Sequence, residues 1–280
     1  MKLLIVFAAI LAVSFAQDKI PRITGGATAM PNEFPYQVGL LLLSEVSNGF
    51  EIKKVYNWCG GSVINRNYVL TAAHCLHPAL AGAVILGAHN IQTPEINRKT
   101  IAVGRSNFVI HSNYDPIYNS DDIALIKLPQ PISFNPTIQP VQLPSADLDD
   151  SKLVGRLATA TGWGRTGDNK STAASLQFAN LKILSSETCQ KVYNQLATLF
   201  LKSNLCVDGN EKKSVCPGDS GGPLVINNAD GTATLVGITS YGHKKGCEQG
   251  IPTAFTRVTS YLDWINKFEK YILILYVFFR

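Results

Sequence analysis

Gly218-Asp219-Ser220-Gly221-Gly222-Pro223 stands directly ahead of the apolar residues Leu224-Val225-Ile226. Taken alone such a run is a turn, because glycine and aspartate both suit tight backbone reversals. Two other stretches change its meaning: Thr71-Ala72-Ala73-His74-Cys75 and Asp121-Asp122-Ile123-Ala124-Leu125. Singly, a histidine is more often structural than catalytic, and an acidic pair before apolar residues is most often a solvated strand end. Acyl transfer, however, needs a hydroxyl made nucleophilic by an imidazole, a carboxylate to fix the imidazole's tautomer, and backbone N–H donors where negative charge develops. The chain offers His74, Asp122 and Ser220 in that order, and the glycines beside Ser220 allow a tight turn with exposed N–H groups. Hydrolases on an α/β fold have the order Ser, Asp, His, so the chain order argues against them.

Working outward from these motifs, short runs rich in Val, Ile, Leu, Thr and Tyr recur between clusters of Gly, Pro, Asn and Asp. They are Tyr36–Leu43, Gly61–Ile64, Tyr68–Thr71, Val84–Leu86, Ile101–Ile110, Ile123–Leu128, Leu157–Gly162, Leu176–Leu184, Pro223–Ile226, Thr232–Ser240 and Ala254–Val258. That number and spacing predict an all-β sandwich or barrel. The stretch Pro129–Asp150 divides the chain near its middle and is the expected boundary between two units. No long amphipathic helix is expected before the end, where Val258, Tyr261, Leu262, Ile265 and Phe268 recur at helical spacing with Ser260 and Asp263 as an N-terminal cap. Beyond that helix Tyr271–Phe279 is a run of nine apolar residues between Lys270 and Arg280, too short to cross a membrane, and it forms an extension, 269–280, without an assigned role.

Of the 280 residues 46% are hydrophobic and 16% charged, enough core material to exclude intrinsic disorder. Met1 and Lys2 precede fourteen residues, Leu3 to Ala16, in which only Ser14 is polar; this is the pattern of a secretory signal peptide over 1–16 with cleavage after Ala16. The formal charge of +5 includes Lys2, Lys19, Arg22 and Asp18; without 1–22 there remain 22 basic and 19 acidic residues, an excess of three. That is too small a surplus for a nucleic-acid partner. Export to an oxidising compartment allows the six cysteines to pair, and six cysteines permit 15 connectivities.

These three motifs, with Ile23-Thr24-Gly25-Gly26 and Gly162-Trp163-Gly164, resemble the trypsin/chymotrypsin family of serine proteases from Arg22 to about Phe268. The resemblance implies two antiparallel six-stranded β-barrels with the active site in the cleft between them, plus a C-terminal α-helix. It implies Ser220 as nucleophile, His74 as general base and then acid, Asp122 as the buried orienting carboxylate with Asp121 its solvated neighbour, and the N–H groups of Gly218 and Ser220 as the oxyanion hole. Ser240, Tyr241 and Gly242 resemble the strand that pairs with substrate backbone. The implied disulfides are Cys59–Cys75, Cys189–Cys206 and Cys216–Cys247. Residues 17–22 form a propeptide, and a cut at Arg22-Ile23 frees an ammonium that can be buried against Asp219, so a zymogen is expected. Activity should rise through weakly acidic pH as His74 becomes neutral and fall at alkaline pH as that ammonium is lost.

The family resemblance places Ser214 at the base of the specificity pocket, where no carboxylate would meet an arginine or lysine, so cleavage after basic residues is disfavoured. Gly242 leaves the pocket mouth open, and Thr253 stands where glycine is usual and narrows the deep part. Large apolar or aromatic residues (Leu, Phe, Tyr, Met) are expected before the scissile bond, with an elastase-like preference for smaller residues as the alternative. Pro217 removes a longer side chain from the rim. Ala88 stands where calcium-binding relatives carry a glutamate, leaving Glu95 as the sole acid in its loop, so no metal and no cofactor are expected. The resulting picture is a secreted, extracellular monomer acting on protein or peptide substrates, activated by a protease of basic specificity and open to protein protease inhibitors, with no nucleic-acid or membrane partner. Asn169-Lys170-Ser171 is its one N-glycosylation pattern. The competing class is a non-catalytic binding protein on the same fold.

Overall fold

Period-2 burial builds the structure. After a two-residue strand β1 (Ala27–Thr28), β2 (Gln37–Ser47) buries Leu40 and Leu42 and leaves Leu41 facing outward, as alternate residues of a strand must. It pairs along its whole length with β3 (Ile52–Val63) and on its other side with β5 (Ala79–Leu86). The computed structural model describes residues 25–195, 202–210 and 213–268. The expected signal peptide (1–16), propeptide (17–22), Arg22, Ile23 and the extension 269–280 lie outside the described residues.

The first sheet is completed by β4 (Tyr68–Thr71), β6 (Lys99–Gly104), β7 (Phe108–Ile110) and β8 (Ala124–Lys127), in the antiparallel order β6-β5-β2-β3-β4-β8-β7. Its two edge strands, β6 and β7, are joined only by the 3₁₀ turn Arg105–Asn107. They are therefore one bent strand, the single predicted run Ile101–Ile110, and the sheet must curl until its edges meet. The second sheet holds β9 (Leu157–Gly162), β10 (Gln177–Lys182), β11 (Asn204–Val207), β12 (Pro223–Asn227), β13 (Ala233–Tyr241) and β14 (Thr253–Arg257), in the order β1-β10-β9-β12-β13-β14-β11. It closes where Ile183 bridges Val207 and Leu184 N–H donates to Cys206 O at 3.0 Å. The expected six strands per barrel thus become two sheets of seven: in the first a bend is counted twice, and in the second β1 adds an arm to β10.

Four sequence expectations need correction. β11 is four residues long and was not foreseen, and the outer half of β3 was missed because Ile52 and Tyr56 are exposed on a hairpin reaching beyond the barrel. A ten-residue helix, Ser186–Gln195, exists well before the C-terminus; its buried stripe holds only Cys189 and Tyr193, too sparse to register as amphipathic. The terminal helix is residues 262–268, but it is entered through a 3₁₀ turn beginning at Val258, so Ser260 lies inside that turn rather than capping the helix. This helix leaves the second barrel and packs on the first: Ile265 is buried, and Phe268 meets Tyr68 with ring centroids 6.3 Å apart.

The barrels meet at close backbone contact. A Cβ on Gly60 would fall 2.8 Å from Gly222 Cα, so only glycine lets β3 approach the Ser220 turn, where Gly60 N–H donates to Ser220 O at 2.7 Å. No helix among the described residues is long and apolar enough to cross a membrane.

Candidate active site

His74 lies on a single helical turn, Ala73–Leu76, placed at the end of β4 and tied to β3 by the Cys59–Cys75 disulfide. Its backbone N–H donates to Asp122 Oδ1 and its ring Nδ1–H to Asp122 Oδ2, both at 2.8 Å. The Asp122 side chain is fully buried and takes a third bond from Ser240 Oγ at 2.5 Å, while Thr256 Oγ1 donates to its main-chain carbonyl at 2.7 Å. Burial pushes the Asp122 carboxyl up, but the charge of His74 and the bonds from His74 and Ser240 outweigh it and hold it below the ordinary value. For His74 burial works against protonation, yet the Asp122 charge and hydrogen bond leave it above 6.5. With Nδ1–H held by the carboxylate, Nε2 of the neutral ring keeps its lone pair. Ser240, foreseen only as a substrate-strand residue, therefore also belongs to the carboxylate's surroundings. Asp121, the expected solvated neighbour, is half-buried and accepts the Tyr261 hydroxyl at 2.9 Å.

Ser220 sits in a turn made by Gly218 at φ +101° and Gly221 at φ +75°. The turn is fastened to β13, since Gly221 N–H donates to Thr239 O at 2.8 Å and Thr239 N–H to Gly222 O at 2.9 Å. Asp219 N–H is spent on Cys216 O at 3.0 Å, whereas the N–H groups of Gly218 and Ser220 have no acceptor among the described residues. His74 Nε2 contacts Cys75 Sγ at 3.7 Å, and the bond from Ser220 Oγ to Nε2 is not formed. Such bonds commonly tighten only with substrate in place. Asp219 is wholly buried and accepts from Gly164 N–H at 2.7 Å and Cys216 N–H at 2.9 Å; burial pushes its carboxyl up to about 6 despite these two donors.

Beside Ser220 opens a cavity of about 530 Å³, lined by Ser214, Pro217, Thr239, Ser240, Tyr241, Gly242 and Thr253, among others. Ser214 and Thr253 are buried at its floor with their hydroxyls 2.7 Å apart. Nothing lies within 4 Å of a Cβ added at Gly242, so the mouth is open there. Cys216–Cys247 ties two walls together, and Cys189–Cys206 fixes the helix Ser186–Gln195 to β11. Sequence reasoning missed the rim: the loop after Gly164 brings Arg165 and Asp168 to it. Asp168 is half-buried and accepts from Cys247 N–H at 2.6 Å and Gln249 Nε2 at 3.0 Å. Glu95, the lone acid of its loop, accepts the N–H groups of His89 and Asn90 at 2.8 and 2.9 Å, which occupies both oxygens. The one compact cluster of potential metal ligands among the described residues is Cys59, His74 and Cys75, whose sulfurs form a disulfide.

Two β-barrels meeting at a His–Asp couple and a glycine-flanked serine turn define a serine hydrolase of the chymotrypsin type. The model of the family described as Trypsin matches residues 23–265. Brachyurin of Leptuca pugilator is 40% identical over 245 residues, covering 87% of this chain and 97% of its own, and Collagenase of Hypoderma lineatum is 36% identical over 276 residues, covering 95% and 98%. The solved structure of HL collagenase superposes with a TM-score of 0.75 at 34% identity, over 89% of this chain and 99% of that one. The chain belongs to the trypsin family and is a serine endopeptidase.

Proposed function

We propose that the chain is a secreted endopeptidase, made with a signal peptide (1–16) and propeptide (17–22), that cleaves after uncharged, mainly large apolar or aromatic residues. Ser220 attacks the scissile carbonyl, His74 takes and returns its proton, Asp122 fixes the tautomer, and the N–H groups of Gly218 and Ser220 bind the developing oxyanion. The observation carrying this reading is the pair of unspent N–H donors at Gly218 and Ser220 in a turn bonded to β13, the strand whose Ser240 Oγ also holds the carboxylate of the His74–Asp122 couple. Each such donor contributes about 2.7–4 kcal/mol to the transition state. The hydroxyl floor of Ser214 and Thr253 supports rejection of basic side chains, which would be buried there uncompensated at a cost of several kcal/mol. The test is a panel of peptide amides differing only before the scissile bond. Phe or Leu turnover well above Arg is expected, and Arg preferred over Phe would refute the specificity. The relative from Hypoderma lineatum is named Collagenase, so native collagen belongs in the panel beside gelatin.

Activation follows from Asp219. A buried carboxyl raised from 3.8 to about 6 stabilises the fold at low pH, and that contribution, about 3 kcal/mol, is lost as pH rises through about 6. An ammonium freed at Ile23 would pair with the ionised form and reverse the loss; the family match beginning at residue 23 supports this site of cutting. Arg22→Gln protein is therefore expected to stay inactive, and its melting temperature to fall more than that of the cut protein between pH 5 and pH 7.5. Full amide turnover from Arg22→Gln protein with an intact N-terminus would overturn the zymogen.

The pH profile of kcat/KM is expected to have its acid limb above 6.5, because the free enzyme's His74 is held above that value by Asp122. Activity should then decline at alkaline pH as the Ile23 ammonium deprotonates. An acid limb at or below pH 5.5 would contradict the assignment of His74 as base.

A further inference from the structure

Glu45 to Asn57, the outer part of the β2–β3 hairpin, are thirteen consecutive exposed residues, the longest such run among the described residues. The barrel gives this ribbon no support on either side. β5 ends its pairing with β2 at Ser44↔Ala79, and β4 pairs with β3 only at Ser62 and Val63. Beyond Ser44 the two strands have only each other, in the pairs Glu45↔Lys54, Val46↔Lys53 and Ser47↔Ile52. A two-stranded ribbon on its own is marginal in water. Opening this one uncovers no buried side chain, so it costs far less than opening the barrel.

Phe50 stands at the tip of the ribbon, 99% exposed. Its turn is held largely by one side chain, Asn48, whose Oδ1 accepts the N–H groups of Phe50 and Glu51 at 3.0 and 2.8 Å, while Gly49 makes the reversal at φ +85°. Once the turn opens, exposed chain continues on both sides of Phe50, back to Glu45 and on to Asn57, as a bond lying across a protease cleft requires. Exposed loop tips of this kind are where proteolytic nicking concentrates. The other exposed aromatic residues lack this combination. Tyr118, 58% exposed, belongs to a loop pinned by Asp115 Oδ1 on Ile117 N–H at 2.7 Å and by the Tyr114 hydroxyl on Asn119 at 3.2 Å. Tyr56 lies at the base of the ribbon, two residues before the partly buried Trp58.

We propose that the Phe50–Glu51 bond is a self-cleavage site, cut by a second molecule of the active enzyme to give a two-chain form; this rests on the proposed function. Ser220 Oγ of the attacking molecule takes the Phe50 acyl group, and Glu51 leaves as an amine with the proton that His74 carries. Water then releases the Phe50 carboxylate and restores the serine. No cysteine precedes Cys59, so the piece ending at Phe50 is held only by the pairing of β2 with β3 and β5. The inner part of β2 keeps its buried Val38, Leu40 and Leu42, so the cut form stays folded.

The experiment adds a catalytic amount of activated wild-type enzyme to Ser220→Ala protein, which cannot cut itself, and follows the digest by intact-mass and peptide mass spectrometry. The expected first product is a pair of fragments whose masses sum to the chain plus one water, with a new N-terminus at Glu51. Phe50→Asp in the Ser220→Ala protein offers the uncharged pocket floor a carboxylate and should slow this cut roughly a hundredfold. Phe50→Leu should keep it within about tenfold. In the active enzyme Phe50→Asp, a surface change, should leave kcat/KM on a Phe amide within about twofold. A first cut elsewhere, no cut by enzyme that turns over a Phe amide, or an equal rate in Phe50→Asp would each overturn the site. Failure of the underlying reading looks different: activated, folded enzyme would turn over no Phe or Leu amide in the first place.

Discussion

Ser220→Ala protein, cut after Arg22 and folded, is expected to lose about 10⁶ in kcat on a Phe or Leu amide. The substitution removes the one hydroxyl that the Gly218–Gly221 turn presents at the cavity while leaving the turn's backbone bonds to Thr239 and Gly60 intact. Peptide binding should therefore survive, with KM changed by only a few-fold. The residual rate, about 10³–10⁴ over the uncatalysed reaction, would come from the unspent N–H donors and from binding. Single-turnover kinetics on the variant with matched circular dichroism would check both parts. A variant retaining even a hundredth of wild-type kcat would remove Ser220 as nucleophile.

Asp122→Asn should lower kcat by about 10⁴ at neutral pH, the loss known for the triad of this family rather than one obtained from the distances here. The structure gives the reason. Asp122 Oδ2 accepts from both His74 Nδ1 and Ser240 Oγ. An asparagine NH₂ in that place becomes a donor, so Nδ1 must turn acceptor and the proton moves to Nε2, where the imidazole can no longer take the proton of Ser220. Oδ1 can still accept the His74 backbone N–H, so the fold should hold with little change in melting temperature. A loss of less than tenfold with normal folding would show that the carboxylate does not set the tautomer.

What was legible in the sequence followed from local chemistry. Strands β4 and β9 were read to the residue because Tyr68–Thr71 and Leu157–Gly162 carry their burial pattern within themselves. The helix Ser186–Gln195 was not, because its two buried residues act through contacts remote in sequence: the Cys206 disulfide and the bond from the Tyr193 hydroxyl to Pro252 O at 2.7 Å. In the same way His74, Asp122 and Ser220 were visible as motifs, while Asp168 at the rim and the Tyr261 bond to Asp121 depend on how separate loops meet. Residues 101–110 show the limit from the other side: the run was correct, but only the turn Arg105–Asn107 makes one strand serve both edges of a closed sheet.

The most direct test of the central claim is covalent labelling of the cut chain with a fluorophosphonate, followed by peptide mass spectrometry. One adduct per molecule on Ser220 is expected, formed quickly at pH 8, slowed by several orders of magnitude in His74→Ala and absent in Ser220→Ala. An adduct on any other residue, or none in cut and folded protein, would contradict a serine activated by His74 and Asp122.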